Sequence, residues 1–234
     1  EAVGQCDALR ERLRRVPDVD RALSRLSLER GGPRDLAAVR AALEQANEIA
    51  EMLAGADLPE LLAEAMDDLG GLDGLTGLLQ GALVAEPPLL ARDGGFVAGD
   101  FDSALDEARR LRDEGRGVIA GMQAEFVAET GVQSLKIKHN NVLGYFIEVS
   151  ELETRILNAG SRALEIERRI FGELRGAVLE EAPRLMALAR ALAELDATAG
   201  LADLARDRAW CRPVVEDGAA FEVVSGRHPV VEDA

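Results

Sequence analysis

The stretch LKIKHNNVLGYFIEVS, residues 135–150, decides how the rest of the chain is read. Leu135 and Ile137 fall on one side of an extended backbone, with Lys136, Lys138 and Asn140 on the other, because side chains of a strand alternate between its faces. Asn140 and Asn141 tolerate the left-handed backbone of a tight turn. Leu143, Tyr145, Ile147 and Val149 then repeat at every second position, as a return strand would. The segments on both sides repeat at helical spacing instead. The spacing therefore predicts a strand pair set between two helices. A lone pair is only marginally stable, so further strands or a helix are expected to cover its apolar side.

Upstream, Ser103 with Asp106 reads as a capping box. Leu111, Val118, Met122 and Phe126 mark one side of the helix it opens, which runs to about Glu129 and ends at Gly131. Downstream, Leu152, Ile156, Ala159, Ala163, Ile166 and Ile170 are spaced by fours and threes, continuing through Leu174 and Val178 towards Pro183. The short connection makes these two helices neighbours. They are expected to pack antiparallel, with Val118, Met122 and Phe126 against Ile156, Ala163 and Ile166. Leu185, Leu188, Leu192 and Leu195 then define a further helix to about Arg208.

Nearer the start, residues 5–16 read as a helix ended by Pro17, and Asp18 caps a second that carries Val19, Leu23 and Leu26. Gly31 and Gly32 suit its C-terminal cap, and Pro33 opens a third with Leu36, Val39, Leu43, Ala46, Ala50 and Leu53 on one face. Glycines and prolines between residues 55 and 100 predict short helices and a long loop. RPVVEDGAAFEVVSGRHPVVE, residues 212–232, switches to short β runs around Asp217 and Gly218. The fold class expected is mainly α: a helical core, two long helices, a small β element at their tip, and short strands near the C-terminus.

Composition supports helices, since 47% of the 234 residues are hydrophobic but only 3% aromatic. The net charge of -16 excludes a generally basic surface, so any contact with nucleic acid must be local. Lys136 and Lys138 are the only lysines, and the other 25 of the 27 basic residues are arginines. On a strand face two lysines discourage edge-to-edge pairing, or they contact phosphate; the residues alone leave both open. The glycines at 70–81 lack the Gly-Lys-Ser/Thr of a P-loop. His139 and His228 and the distant Cys6 and Cys211 match no metal or disulfide spacing. No apolar run is long enough to span a bilayer, and the acidic first residues do not form a signal peptide, so a reducing cytoplasm is the expected compartment.

Residues 135–150, preceded by RVPDVDRALSRLSLERGGPRDLAAVRAAL (15–43) and followed by ALEIERRIFGELR (163–175), ALAELDATAGLADLA (191–205) and residues 212–232, closely resemble the bacterial MutS family of DNA mismatch repair proteins. The resemblance covers nearly the whole chain, in the family's order. It implies residues 1–134 as helical core and first lever helix, 135–150 as a partial clamp hairpin, 151–212 as the return lever and core, and 213–234 as opening strands of an ATPase domain. Lys136, Lys138, Asn140 and Asn141 become candidates for contact with the DNA backbone, while Gly144 and Tyr145 match a Gly-Tyr pair that packs the clamp.

The resemblance further implies a homodimer closing on mismatched double-stranded DNA, ATP and magnesium in the full-length protein, and repair partners such as MutL. This stretch itself is expected to hold no cofactor or metal and to catalyse nothing. Two departures stand out. The family's amino-terminal Phe-x-Glu mismatch reader has no counterpart here, since the only Phe-x-Glu triplets, Phe146–Glu148 and Phe171–Glu173, fall in the clamp and return-lever segments, and between Ser150 and Glu151 the family continues its clamp with further strands that this chain lacks. The competing expectation is a helical protein-interaction scaffold that binds no DNA. An enzyme would require a titratable cleft.

Overall fold

The computed structural model describes residues 2–130, 150–219 and 221–228. Among them lie eight α-helices: α1 (Ala2–Leu13), α2 (Val19–Ser27), α3 (Pro33–Leu53), α4 (Glu60–Asp67), α5 (Asp73–Ala82), α6 (Ser103–Thr130), α7 (Ser150–Glu180) and α8 (Ala182–Asp207). A 3-10 turn at Ala91–Asp93 and an antiparallel bridge between Leu83 and Val97 order the loop that leads into α6. The mainly α class expected from the sequence is what the chain adopts.

Local chemistry sets the helix ends. Asp18 caps α2 by accepting from the Arg21 N–H at 2.9 Å. Pro33, whose fixed φ suits a first turn, begins α3. The Asp35 carboxylate reaches back to the Gly32 N–H at 2.8 Å and also accepts from Arg25 Nε at 2.9 Å, which ties α2 to α3. The sequence places the C-terminal cap of α2 at Gly31 and Gly32. The left-handed residue is instead Glu29, with φ of 57°. Gly31 is needed for another reason: a Cβ there would lie 2.7 Å from Leu26 Cδ2.

Most of the buried apolar side chains form one cluster. α3 contributes Leu36, Val39, Leu43, Ala46, Ile49 and Leu53, so Ile49 takes the buried place expected of Ala50. α8 contributes Leu185, Leu188, Leu192 and Leu195, the four leucines its spacing marks. α7 is the element the others share, packing on α2, α3, α5, α6, α8 and the 3-10 turn. Its Ile170, Leu174 and Val178 are buried, and Phe171 meets Phe96 edge to face with centroids 6.1 Å apart. Arginines fasten loops to this core. Arg40 donates to the carbonyls of Leu83, Val84 and Ala85 at 3.0–3.1 Å, Arg175 to Leu26 O at 2.7 Å, and Arg184 to Gly71 O.

Two sequence expectations change near the ends of the long helices. The N-cap of α6 is Asp102, whose Oδ1 accepts from the Ala104 and Leu105 N–H groups, so the cap lies one residue before Ser103. Asp106 does turn back, to the Asp100 N–H at 2.9 Å. Ser150 belongs to α7, not to a strand. The proposed hairpin itself, apart from Ser150, lies outside the described residues. So do the side chains of Val118, Met122, Phe126 and Ile156.

The short strands expected after residue 212 are not formed among the described residues. Val214, Val215, Phe221 and Val224 are 82–93% exposed, and Asp217 and Gly218 sit in a bend. Alternating apolar residues signal a strand only where a neighbour supplies the hydrogen bonds and a covered face. No such neighbour stands beside this stretch among the described residues.

Burial orders the helix faces by cost. Ile170→Ala should destabilise the chain by about 2–5 kcal/mol, because its side chain is 1% exposed in the core. The same change at half-buried Ile166 should cost clearly less. Urea unfolding of the two variants tests the order, and equal losses would show that α7 is rotated differently.

Candidate functional site

The candidate backbone-contacting residues Lys136, Lys138, Asn140 and Asn141 lie outside the described residues. What the structure gives is their mounting, the helices that end at Thr130 and begin at Ser150. Contacts along these helices fix their sense. Asp102 pairs with Arg169, Arg109 with Glu167, and the backbone of Gly160 lies beside the Arg112 side chain. As the number rises on α6 it falls on α7, so the two run antiparallel, as the short connection requires. At about 1.5 Å per residue they are roughly 40–45 Å long.

Small residues let the pair approach closely. Ala159, 1% exposed, lines the contact with Ala104, Ala108 and Leu111, while Ala163, 3% exposed, belongs to the core cluster. Of the expected apolar seam, Ala163 is buried and Ile166 is partly buried against the core.

The roots of both helices carry charges that the sequence reading passed over. Glu167 is 3% exposed. Its Oε1 accepts from Arg109 Nη2 at 2.5 Å and its Oε2 from the Gly95 N–H at 2.7 Å. Arg109 Nη2 also donates to Val97 O at 2.9 Å. A carboxylate in this position is paired on both oxygens, as burial demands. The signal existed: Glu167 stands four residues after Ala163 and three before Ile170, on the buried stripe.

Beside it, Asp102 accepts from Arg169 Nη2 at 2.7 Å, and Arg169 Nη1 donates to Glu173 at 2.7 Å. The Leu105 N–H, and then Arg169, hold the Asp102 carboxyl below the usual range against the opposing effect of burial. Glu173, and after it Asp102, raise the Arg169 pKa. Further along α6, Arg112 and Asp113 pair at 2.7 Å, which raises the arginine pKa and lowers the aspartate pKa.

Elsewhere among the described residues an acidic cleft is lined by Asp18, Asp20 and Asp196 beside Val16, Pro17 and Leu192. No group of three His, Cys, Asp or Glu among the described residues is placed to hold a metal ion, and no helix among them is long and apolar enough to cross a membrane. A second cleft, of about 310 Å³ between α1, α4 and α8, is lined mainly by Leu9, Leu53, Leu58, Leu62 and Leu195, with Cys6, Asp57 and Thr198 at its wall.

A family model described as MutS domain III matches residues 2–202. Proteins described as DNA mismatch repair protein MutS are similar over nearly the whole chain. The one from Paracoccus denitrificans is 59% identical over 260 residues, and the one from Ruegeria pomeroyi 57% over 260, each covering 97% of this chain and 30% of the relative. The one from Dinoroseobacter shibae is 54% identical over 268 residues, covering 100% of this chain and 31% of its own. The chain thus spans about 30% of the length of the curated relatives it matches. Because 268 aligned positions take in a chain of 234, that relative carries about 34 residues inside the matched span that have no counterpart here.

The lowered pKa of Asp102 sets a pH dependence. A carboxyl depressed in the folded state stabilises above its unfolded pKa and loses that contribution as pH falls through its folded one. Asp102→Ala should cost about 1 kcal/mol at neutral pH, a typical cap loss, and the gap to the parent chain should begin to narrow below about pH 4 and go on narrowing as pH falls through the lowered folded pKa. Urea unfolding between about pH 2 and pH 7 measures it, and a gap that does not shrink at all below about pH 4 would exclude the carboxylate charge as its source.

Proposed function

The chain belongs to the MutS family through its domain III, and from that membership we propose that it acts in DNA mismatch repair by holding the DNA backbone and linking that grip to a distant ATPase. α6 and α7 are its levers. Residues 135–149 between them are the remnant of a clamp, with Lys136, Lys138, Asn140 and Asn141 as the backbone contacts. Residues before the clamp form the core and first lever, residues 150–212 the return lever and the rest of the core, and residues from 213 onward the first part of the ATPase domain. The last assignment supplies what the exposed Val214, Val215, Phe221 and Val224 lack, a sheet to join.

The observation that carries the reading is the antiparallel pairing of α6 and α7, rooted in the core, with both lysines of the chain in the segment that joins their far ends. Phosphate contact needs local positive charge, and a protein of charge -16 offers it best away from its acidic body. The about 34 positions that the Dinoroseobacter relative carries in excess are the kind of difference that a clamp shortened between Ser150 and Glu151 would leave. ATP, magnesium, a homodimer, mismatched double-stranded DNA and partners such as MutL belong to the full-length protein in this reading, in the cytoplasm. This stretch carries the mechanical connection and no catalysis.

The test is duplex DNA binding by the 234-residue chain. With about two phosphates neutralised, log affinity against log salt should have a slope near -2, weak and without preference for mismatches. Changing Lys136 and Lys138 together to Ala should flatten it. Binding that ignores the lysines, a steep slope, or none at low salt would remove the clamp assignment, and the last would favour a protein-interaction scaffold.

A further inference from the structure

α6 packs extensively on α7 and on no other helix among the described residues, yet its first turns reach the core through Leu105 and Ala108, at 0% and 2% exposure. Between this root and the core runs the loop of residues 94–102. Gly94 and Gly95 both have left-handed backbones, with φ of 68° and 75°. This double turn brings the Gly95 N–H onto Glu167 of α7, while Arg109 of α6 joins Glu167 to the Val97 carbonyl. A single buried carboxylate therefore binds three pieces of chain. Asp102 and Arg169 link the same two helices nearer the surface.

We propose that Glu167, Arg109 and the Gly94–Gly95 turn form a joint that fixes the bearing of α6 on the core, so that breaking it loosens the long helices while the core stays folded. Three physical points carry this. The carboxylate is 3% exposed, so a lost partner leaves a buried charge unpaired and the joint is either made or strongly penalised. Where its side chains are described, α7 before Arg162 lies against α6, at Ala159 and Gly160, whereas Ile170, Leu174 and Val178 are buried in the core. The glycine geometry is specific: a Cβ at Gly94 would lie 2.7 Å from Glu167 Oε2, while at Gly95 nothing lies within 4 Å. Both positions gain backbone strain with a side chain, and Gly94 stands, with ψ of -176°, in a region that glycine alone adopts readily; only there does the Cβ also displace the carboxylate, so Glu167→Gln, which leaves the backbone alone, isolates the carboxylate. The joint would set where the levers carry their clamp, and it stands whether or not that clamp binds DNA.

Hydrogen exchange on the 234-residue chain tests it, with Glu167→Gln, Gly94→Ala and Gly95→Ala compared against the parent. Glu167→Gln and Gly94→Ala should speed exchange in α6 after Arg112 and in α7 before Arg162 by about tenfold, leaving α3 and α8 unchanged. Gly95→Ala should have a clearly smaller effect. Unchanged exchange in α6, equal effects of the two glycine changes, or uniform acceleration of every helix would each overturn the proposal. Should Glu167→Gln fail to fold, Arg109→Lys, which keeps the charge but loses the guanidinium bridge between Glu167 and Val97 O, decides in its place with the same expected pattern.

Discussion

The rotation of α7 about its own axis governs the rest of the fold. Ile170, Leu174 and Val178 lie on one stripe at spacings of four, and burying an aliphatic side chain is worth about 1.5–3 kcal/mol. The rotation that buries them also turns Ala159 towards α6, where its small size allows close approach. It brings Glu167 inside as well, since that residue lies on the same stripe. An isolated charge there would be expensive, so the apolar packing of α7 requires Arg109 and the Gly95 N–H to be in place. Core packing and the seating of α6 are thus a single constraint.

The division between arginine and lysine follows from the same demand. Loop carbonyls at the edge of a helical core need donors that reach several oxygens from one side. A planar guanidinium does this and a lysine ammonium does it poorly. Arg40 closes three successive carbonyls, Arg109 joins a carbonyl to a carboxylate, Arg175 joins Leu26 O to Glu29, and Arg227 reaches the carbonyls of Arg208 and Ala209. These arginines are engaged in architecture. The only two lysines fall together in residues 135–150, where their stronger hydration suits a solvent-facing contact.

The helices were legible because each long one repeats its apolar residues over several turns, and the seams of α3, α7 and α8 emerge almost as spaced. The remaining differences have local causes. Asp102 and Ser103 are adjacent residues of the same capping type, and the sequence does not distinguish which side chain bends back. Glu29 takes a left-handed backbone that the neighbouring glycines suggest for themselves, because the close approach to Leu26 claims Gly31. Glu167 was hidden because an acid inside a helical repeat ordinarily faces water. The β pattern after residue 212 describes a face waiting for a partner, and periodicity does not say where that partner lies. For the candidate DNA contacts, alternation and turn chemistry gave the hairpin pattern, while their role came only from the resemblance.

A net charge of -16 sets where such a chain can meet a polyanion. From Arg109 to Thr130 α6 rises by roughly 30 Å, several times the screening length of about 8 Å at physiological ionic strength. Acidic groups at the root are therefore barely felt at the far end. What remains there is local: in residues 125–151 Glu125, Glu129, Glu148 and Glu151 outnumber Lys136 and Lys138. In the proposed clamp a single tip would therefore grip DNA weakly. In the dimer proposed for the full-length protein, two such tips on rigid arms would enclose one duplex, and the second contact then forms at an effective concentration in the millimolar range. Holding DNA in that way depends on the stiffness of the arms more than on the strength of either contact, and that stiffness would rest on how firmly α6 and α7 are seated at Glu167.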